Sequence, residues 1–193
     1  MNSFDNIETC YLTEYNSGVK CRLYYAPEEF FFHTPLPSPG NNLESEVSIQ
    51  EEIIMNKGKK IHHIDILIDE NELKLLLSGA LSRKKSKINL TVYILGFLPS
   101  VLGFIERGMN LPFVFFIQDT NGRNWQIGHS RNRAFIENAN TGTGKKYEDN
   151  SGSEIMITCN SPVFLYNFSL DRFSVPGDFN TDFNNDFFIK YYE

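Results

Sequence analysis

The sequence predicts a mainly β fold: an antiparallel β-sandwich or barrel with one flanking α-helix and extended terminal arms. First, aromatic residues make up 14% of the 193 residues, and they favour half-buried pleated surfaces. Second, short apolar runs recur about every ten residues between turn signals, a spacing typical of sandwiches and barrels. A chain of this length holds one ordinary domain. We therefore expect a sandwich body at residues 59–168, an N-terminal region at 1–58 and a C-terminal tail at 169–193.

The N-terminal region is predicted to hold a hairpin, a proline-rich arm and a loop. Strand-like residues 7–14 and 19–25 flank Tyr15-Asn-Ser-Gly18, in which Asn and Gly tolerate the positive φ of a tight turn. Three prolines within residues 35–39 keep the next segment out of a sheet interior. The polar stretch at residues 41–58 predicts a mobile loop.

A single helix is predicted at residues 70–84. Asp69 suits the N-cap position and Glu72 follows three residues later, which is close to a capping box. The segment ends in Arg83-Lys-Lys85, and cations suit the negative end of the helix dipole. The apolar residues at helical spacing are Leu73, Leu76, Leu77, Ala80 and Leu81. In the rest of the body the patterns predict strands at residues 60–68, 88–95, 101–107, 112–118, 123–128, 134–138, 153–159 and 163–168.

The formal net charge of −6 bears on partners. Proteins that grip the phosphate backbone normally carry a basic surplus, so we expect no sequence-specific nucleic-acid binding. An acidic surface does suit a passage along which nucleic acid slides. The longest apolar run, residues 92–105, is too short and too interrupted to span a bilayer, and the N-terminus has no signal-peptide pattern. We expect synthesis in a cytoplasm and no membrane partner. Pairing of Cys10 with Cys21, on opposite limbs of the predicted hairpin, stays open.

One loop invites a phosphate-binding interpretation. Asn140-Thr-Gly-Thr-Gly144-Lys145 would need Gly at Ala139 and Ser or Thr at Lys146 to match a phosphate-binding loop, and both positions fail. No apolar strand leads directly into this segment and no helical pattern follows it. A hairpin tip is the better interpretation.

Two further patterns resemble metal sites. Alternating oxygen donors at residues 178–184 resemble a calcium loop, but Phe183 replaces the turn glycine and Ile189 the closing acid. His62 and His63 are adjacent, so in a strand they point to opposite faces, which is poor metal-ligand geometry. We predict no catalytic residue, no metal site and no cofactor, and we expect that the protein is not an enzyme.

Two groups of residues are candidate assembly contacts, a basic cluster and an aromatic tail. They are Arg83, Lys84, Lys85 and Lys87, and Phe179, Phe183, Phe187, Phe188, Tyr191 and Tyr192. The basic cluster is either a solvated helix end or a docking patch for an acidic neighbour, such as the tail of another copy. The tail is too aromatic to remain in water. It docks on another protein, or it folds back on its own sandwich.

The segment from Phe113 to Phe168 carries a resemblance to a known class. In order, it contains Asp119-Thr-Asn-Gly122, Trp125-Gln-Ile-Gly128, Asn140-Thr-Gly-Thr-Gly144, Asp149-Asn-Ser-Gly152, an alternating strand from Glu154 to Cys159, and Ser161-Pro162. This layout resembles small virion structural proteins of tailed phages and prophages of gut Bacteroidetes, including crAss-like phages. The resemblance covers the C-terminal third to half of the chain.

The resemblance implies a tail-tube-like or head–tail connector subunit located in the virion, at the tail or the portal vertex. Such subunits are β-sandwiches with a flanking helix that form sixfold or twelvefold rings around the DNA channel. The implied partners are copies of the chain and adjacent ring, portal or tail proteins. The alternative is a ligand-binding β-sandwich, such as a carbohydrate-binding module with an exposed aromatic platform. An enzyme is a third and less favoured interpretation.

Overall fold

The computed structural model describes residues 17–38, 40, 42–146, 148–170 and 173. Within them the fold is mainly β with one α-helix, as predicted. The strands are β1 (Val19–Pro27), β2 (Phe31–His33), β3 (Ser48–Ile49), β4 (Ile54–Met55), β5 (His62–Asp65), β6 (Glu72–Ser78), β7 (Lys85–Leu95), β8 (Phe113–Asp119), β9 (Asn124–Ile127), β10 (Ala134–Gly142), β11 (Gly152–Cys159) and β12 (Phe164–Tyr166). The helix α1 spans Pro99–Gly108, and two short 3-10 turns span Glu28–Phe30 and Glu44–Glu46.

The strands form two layers. One layer has the order β10-β11-β7-β6 and the other has the order β3-β12-β9-β8-β1-β5, with β3 and β12 as the parallel pair. The layers join where Ala134 of β10 pairs with Phe113 of β8. A separate small sheet pairs β2 with β4.

The main core lies between the layers because alternate side chains of a strand share one face. The inward set of β7 is Ile88, Leu90, Val92 and Ile94, and all four are buried. Phe115 and Ile117 of β8 belong to the same core from the opposite layer. Helix α1 adds Val101, and its Phe104 ring lies 4.8 Å from the ring of Tyr25.

A second core covers the other face of β8. Val114 and Phe116 point into it and are fully buried. The covering residues come from the N-terminal region and from the start of the tail: Phe31, Ile49, Ile53, Met55, Ile61, Leu170 and Phe173. The prediction of a loop over residues 41–58 was wrong, because this stretch contributes β3, β4 and three buried apolar side chains.

The predicted helix at residues 70–84 was also wrong. Residues 72–78 form β6, whose Leu73 and Leu75 pair with Leu90 and Ile88 of β7. Asp69 is not an N-cap, since its φ of 67° places it in a turn. The leucine run satisfies both a helical and a strand pattern, and pairing with the long strand β7 decides between them.

The one α-helix of the described residues falls instead where a strand was predicted, over residues 101–107. It begins with Pro99 at the first helical position, where the missing N–H of proline costs nothing. Val101, Phe104 and Ile105 all contact the main core. A Cβ atom at Gly108 would lie 3.2 Å from the Phe113 ring, so glycine suits this close approach. Packing of this face outweighs the strand preference of its branched and aromatic residues.

The two hairpins predicted within the sandwich body are confirmed. The Asp119–Gly122 turn joins β8 to β9, with the Gly122 amide donating to the Asp119 carbonyl at 3.1 Å. Strands β10 and β11 flank the predicted polar loop, and Gly142 pairs with Gly152 at its base. The strand predicted at residues 19–25 is confirmed as part of β1, which pairs with β5 and β8, and the N-terminal hairpin itself stays a prediction. The first limb, residues 7–14, and Cys10 lie outside the described residues.

Candidate assembly surface

Strand β6 forms the free edge of the four-stranded layer. Among the described strands it pairs with β7 alone, along all seven of its residues. Its side chains are apolar yet exposed: Leu75 is 51%, Leu76 43% and Leu77 66% accessible. Long, apolar, unpaired edges are templates for pairing with another chain, and soluble proteins usually blunt them. Here the only charges within the strand are Glu72 and Lys74, which pair with each other.

The exposure of the β6 leucines follows from the register in which β6 pairs with β7. Leu73 and Leu75 are on the core side of β6, and Leu73 packs against the main core. The facing layer does not cover Leu75 and Leu77, which remain exposed. Leu76 lies on the opposite face. It shares that face with Glu72, Lys74 and Ser78, so the exposed apolar surface of this edge comes mainly from Leu75 and Leu77.

A basic turn, residues 79–85, follows β6. Gly79 has a φ of 117° and Ser82 a φ of 63°, and the Arg83 amide donates to the Ala80 carbonyl at 3.0 Å. Leu81 is 87% exposed, the largest exposure of any bulky apolar side chain in the described chain. The structure thus places the predicted basic cluster at a hairpin turn and not at a helix end.

The cations of this cluster divide into two sets. Arg83, Lys84 and Lys85 are exposed and make no ion pair with any residue that the structure describes. Lys87 lies within β7, and its Nζ is 3.5 Å from Glu137 Oε1. Three of the four basic candidates are therefore available to a partner.

An acidic cleft opens between the layers at the start of β6, with a volume of about 920 Å³. Four carboxyl residues line it, and no lysine or arginine is among its described lining residues. The four are Asp69, Glu70, Glu72 and Asp119. Apolar side chains, including Leu73, Leu75 and Trp125, form the rest of its wall.

Hydrogen bonds fix the walls of this cleft. Asn71 Oδ1 accepts from the Tyr93 amide at 2.9 Å and Asn71 Nδ2 donates to the Leu67 carbonyl, which ties the segment before β6 to β7. Asp119 Oδ2 accepts from Trp125 Nε1 at 3.0 Å, while its Oδ1 accepts from the Arg123 amide at 2.8 Å. The cleft is therefore a preformed feature.

The loop between β10 and β11 is a hairpin tip, as predicted. The Asp149 carboxylate accepts from the backbone amides of Lys145 and Lys146, each at 2.8 Å. These hydrogen bonds lower the pKa of Asp149. Because the carboxylate already occupies both amides, they are not presented to a phosphate.

Two adjacent histidines, His62 and His63, lie in β5. Tyr25 pairs with His62 and Tyr24 with His63, so the two histidines lie on opposite faces of β5, as predicted. Burial raises the pKa of Cys159 to about 11, whereas Cys21 is exposed. Within the described residues no three His, Cys, Asp or Glu side chains are grouped to hold a metal ion.

His129 supports a prediction on pH. It is 4% exposed, and its Nδ1 accepts from the Arg131 amide at 3.2 Å. Burial, and secondarily the charge of Arg131, lowers the pKa of this imidazole below its usual value near 6.5. Its neutral form therefore contributes stability that is complete above about pH 6.5 and is lost as the pH falls toward the folded-state pKa.

We expect the wild type to lose more stability between pH 7 and pH 5 than His129→Gln, by up to about 1 kcal/mol per pH unit. Urea unfolding at pH 7, 6 and 5 measures the difference. The pKa of His62 is also lowered, chiefly by burial, so the comparison between variants, and not the wild-type curve alone, isolates His129. Parallel pH profiles would contradict the prediction.

The aromatic candidates Phe179, Phe183, Phe187, Phe188, Tyr191 and Tyr192 lie outside the described residues. The start of the tail is described at Ser169, Leu170 and Phe173. Leu170 and Phe173 are buried in the second core, with exposures of 4% and 8%. Sequence reasoning missed the β6 edge and the acidic cleft. A signal for the edge was present, since Gly79 and Ser82 bracket a turn directly after the leucine run.

No protein-family model, curated protein or solved structure matches this chain. None of the helices in the described residues has the length and apolar character needed to cross a bilayer.

Proposed function

We propose that this protein is a structural subunit that works by assembling with copies of itself, as a ring in the tail or head–tail connector of a tailed-phage virion. The observation that carries the proposal is the β6 edge, which leaves three leucines exposed and one side of the strand without a partner among the described strands. The turn layout from Phe113 to Phe168 supports the phage assignment. Adjacent ring, portal or tail proteins are the further partners.

Association through this edge has two energetic sources. Each leucine carried from full exposure to full burial contributes about 1.5–3 kcal/mol, so the partial exposures of Leu75, Leu76 and Leu77 leave a substantial part of that value to be gained. The outward N–H and C=O groups of the strand also gain permanent partners. A closed ring satisfies every such edge, which an open chain of copies does not. Sixfold and twelvefold rings are the symmetries that we propose.

The charge of the chain fits the same role. The net charge of −6 disfavours tight binding of a phosphate backbone, so an acidic channel wall lets DNA pass without retaining it. The protein then contributes shape and closure, and base sequence is not read.

A second candidate, a carbohydrate-binding module, is favoured by one observation. Trp125, the sole tryptophan, lines the acidic cleft beside Asp119 and Asn71, and such a combination of an aromatic and polar groups suits sugars. A binding module of this kind does not depend on the β6 edge for its oligomeric state. The experiment on that edge therefore separates the two candidates.

We expect Leu75→Lys/Leu77→Lys to convert the assembled protein into monomers. Two lysines on the apolar edge introduce charges that would be buried without partners, which opposes strand pairing. Light scattering coupled to size-exclusion chromatography across a range of protein concentrations measures the effect, because self-association depends on concentration. Circular dichroism checks that the variant remains folded.

Leu98→Lys/Leu111→Lys is the matched control. These leucines flank α1, are 43% and 39% exposed, and are not part of β6. The control should assemble like the wild type. A wild type that stays monomeric at every concentration would refute the proposed function. Equal loss of assembly in both variants would show that assembly does not depend specifically on the β6 edge.

A further inference from the structure

We propose that the basic turn of one copy binds in the acidic cleft of the next, so that copies join head to tail. This inference rests on the proposed function and names the contact that builds the assembly. It also assigns a role to the exposed cations that no ion pair within the described chain satisfies.

The two surfaces are complementary in charge and in polarity. The turn presents Arg83 and Lys84 together with the fully projecting Leu81. The cleft presents carboxylates around an apolar wall that includes Leu75 and Trp125. Oppositely charged patches steer encounter and fix register, while the apolar groups supply the burial. The volume of the acidic cleft, about 920 Å³, is large enough for the side chains of a turn tip.

Within one chain the turn is placed away from the cleft. Strand β6 has Glu72, a cleft residue, at its start and Ser78, which precedes the turn, at its end. Six residue steps of a strand span about 20 Å. The turn projects beyond the far end of a strand whose first half forms the cleft wall. Each copy therefore offers one protrusion and one recess at opposite ends of β6.

This arrangement determines the kind of assembly. A contact between two different surfaces is heterologous, and repetition of it gives a closed ring or an open filament, whereas a two-fold contact would stop at a dimer. Both surfaces are held before binding: the turn by the Arg83 to Ala80 hydrogen bond, and the cleft by Asn71. Little ordering entropy then opposes association.

Charge reversal on each side tests the contact. The turn variant is Arg83→Glu/Lys84→Glu and the cleft variant is Glu70→Lys/Glu72→Lys. Asp69 and Asp119 are left unchanged because the first has a φ of 67° and the second holds the β8–β9 turn. We expect each variant alone to raise the dissociation constant of assembly more than about tenfold, the effect of losing a close charge pair. Lys57→Glu/Lys145→Glu, which reverses two exposed cations elsewhere, should leave assembly unchanged.

The decisive arm is the mixture of the two variants. The turn variant has an acidic turn and keeps the acidic cleft, whereas the cleft variant keeps the basic turn and has a cleft in which two lysines balance Asp69 and Asp119. Only the basic turn of the cleft variant and the acidic cleft of the turn variant then match, so an equimolar mixture should form one-to-one pairs although neither variant associates alone. Thermal unfolding of each variant verifies its fold, and Glu72 loses only a surface ion pair with Lys74, which is worth about 1 kcal/mol or less.

The outcomes separate this inference from the proposed function. If neither reversal changes assembly while Leu75→Lys/Leu77→Lys abolishes it, the turn–cleft contact is refuted and the β6 edge alone builds the assembly. If the turn reversal and removal of residues 175–193 both abolish assembly while the cleft reversal does not, the acidic tail is the partner of the turn and the inference is again refuted. A wild type that never associates refutes both proposals.

Discussion

Replacing Gly128 by alanine is expected to lower the free energy of unfolding by about 2–4 kcal/mol. Gly128 follows β9 and has a φ of 88°, a conformation that L-residues rarely adopt. A Cβ atom there would lie 2.9 Å from both the Ala134 amide nitrogen and the Phe113 carbonyl oxygen. These two residues form the pair that joins the layers, so the backbone cannot move aside without breaking that junction.

Gly122→Ala is the matched control for this prediction. Gly122 has nearly the same φ, 85°, but a Cβ atom would meet nothing within 4 Å. It should therefore show only the conformational part of the penalty, about 1 kcal/mol. Urea unfolding of both variants gives the difference, which is the cost of the collision. Equal losses of stability would show that the junction tolerates a side chain at position 128.

Several of the strands that the sequence predicted correctly are bounded by strong turn chemistry. Asp119-Thr-Asn-Gly122 requires a turn, and the flanking alternation in β8 and β9 then has one consistent register. The polar loop after β10 is bounded in the same way. The residues within and next to these elements determine where they begin and end. Such local signals can be recognised in a single sequence.

The helix predicted at residues 70–84 and the strand predicted at residues 101–107 were both wrong because contacts distant in sequence determine these segments. Leu73, Leu76 and Leu77 match a helical face, but they also lie in a run that can pair with β7. Residues 101–107 match a strand, but their apolar side chains reach the core at helical spacing. In both segments, contacts with elements distant in sequence determine whether a helix or a strand forms. The propensities of the residues within the segment do not predict these contacts.

The second core was missed for a related reason. Ile49, Ile53 and Met55 are scattered among polar residues, so no periodic pattern marks them as interior. They become interior because β8 presents a second apolar face, Val114 and Phe116, which needs cover. The acidic cleft combines residues from three distant stretches, 17–19, 69–75 and 119–125, with Thr91 and Val163, and no single segment predicts it.

The start of the tail supports the second large prediction. Removal of residues 170–193 should lower the free energy of unfolding by about 2–4 kcal/mol relative to removal of residues 175–193, once the ordering cost of the segment is subtracted. Leu170 and Phe173 are both buried in the second core, and the Phe173 carbonyl accepts from the Ile61 amide at 2.9 Å. Loss of both side chains uncovers apolar surface on the sandwich and leaves that amide without its partner.

The two truncations also separate the two interpretations of the tail. The longer deletion removes contacts made within the chain, so its effect on stability is expected in the monomer. The shorter deletion keeps Leu170 and Phe173 and removes the candidate contacts from Phe179 to Tyr192. If the tail docks on another copy or on an adjacent ring, the shorter variant keeps the stability of its monomer while its assembly weakens, as light scattering would detect. If it unfolds as readily as the longer variant, the aromatic tail belongs to the fold of its own chain and the docking interpretation is wrong.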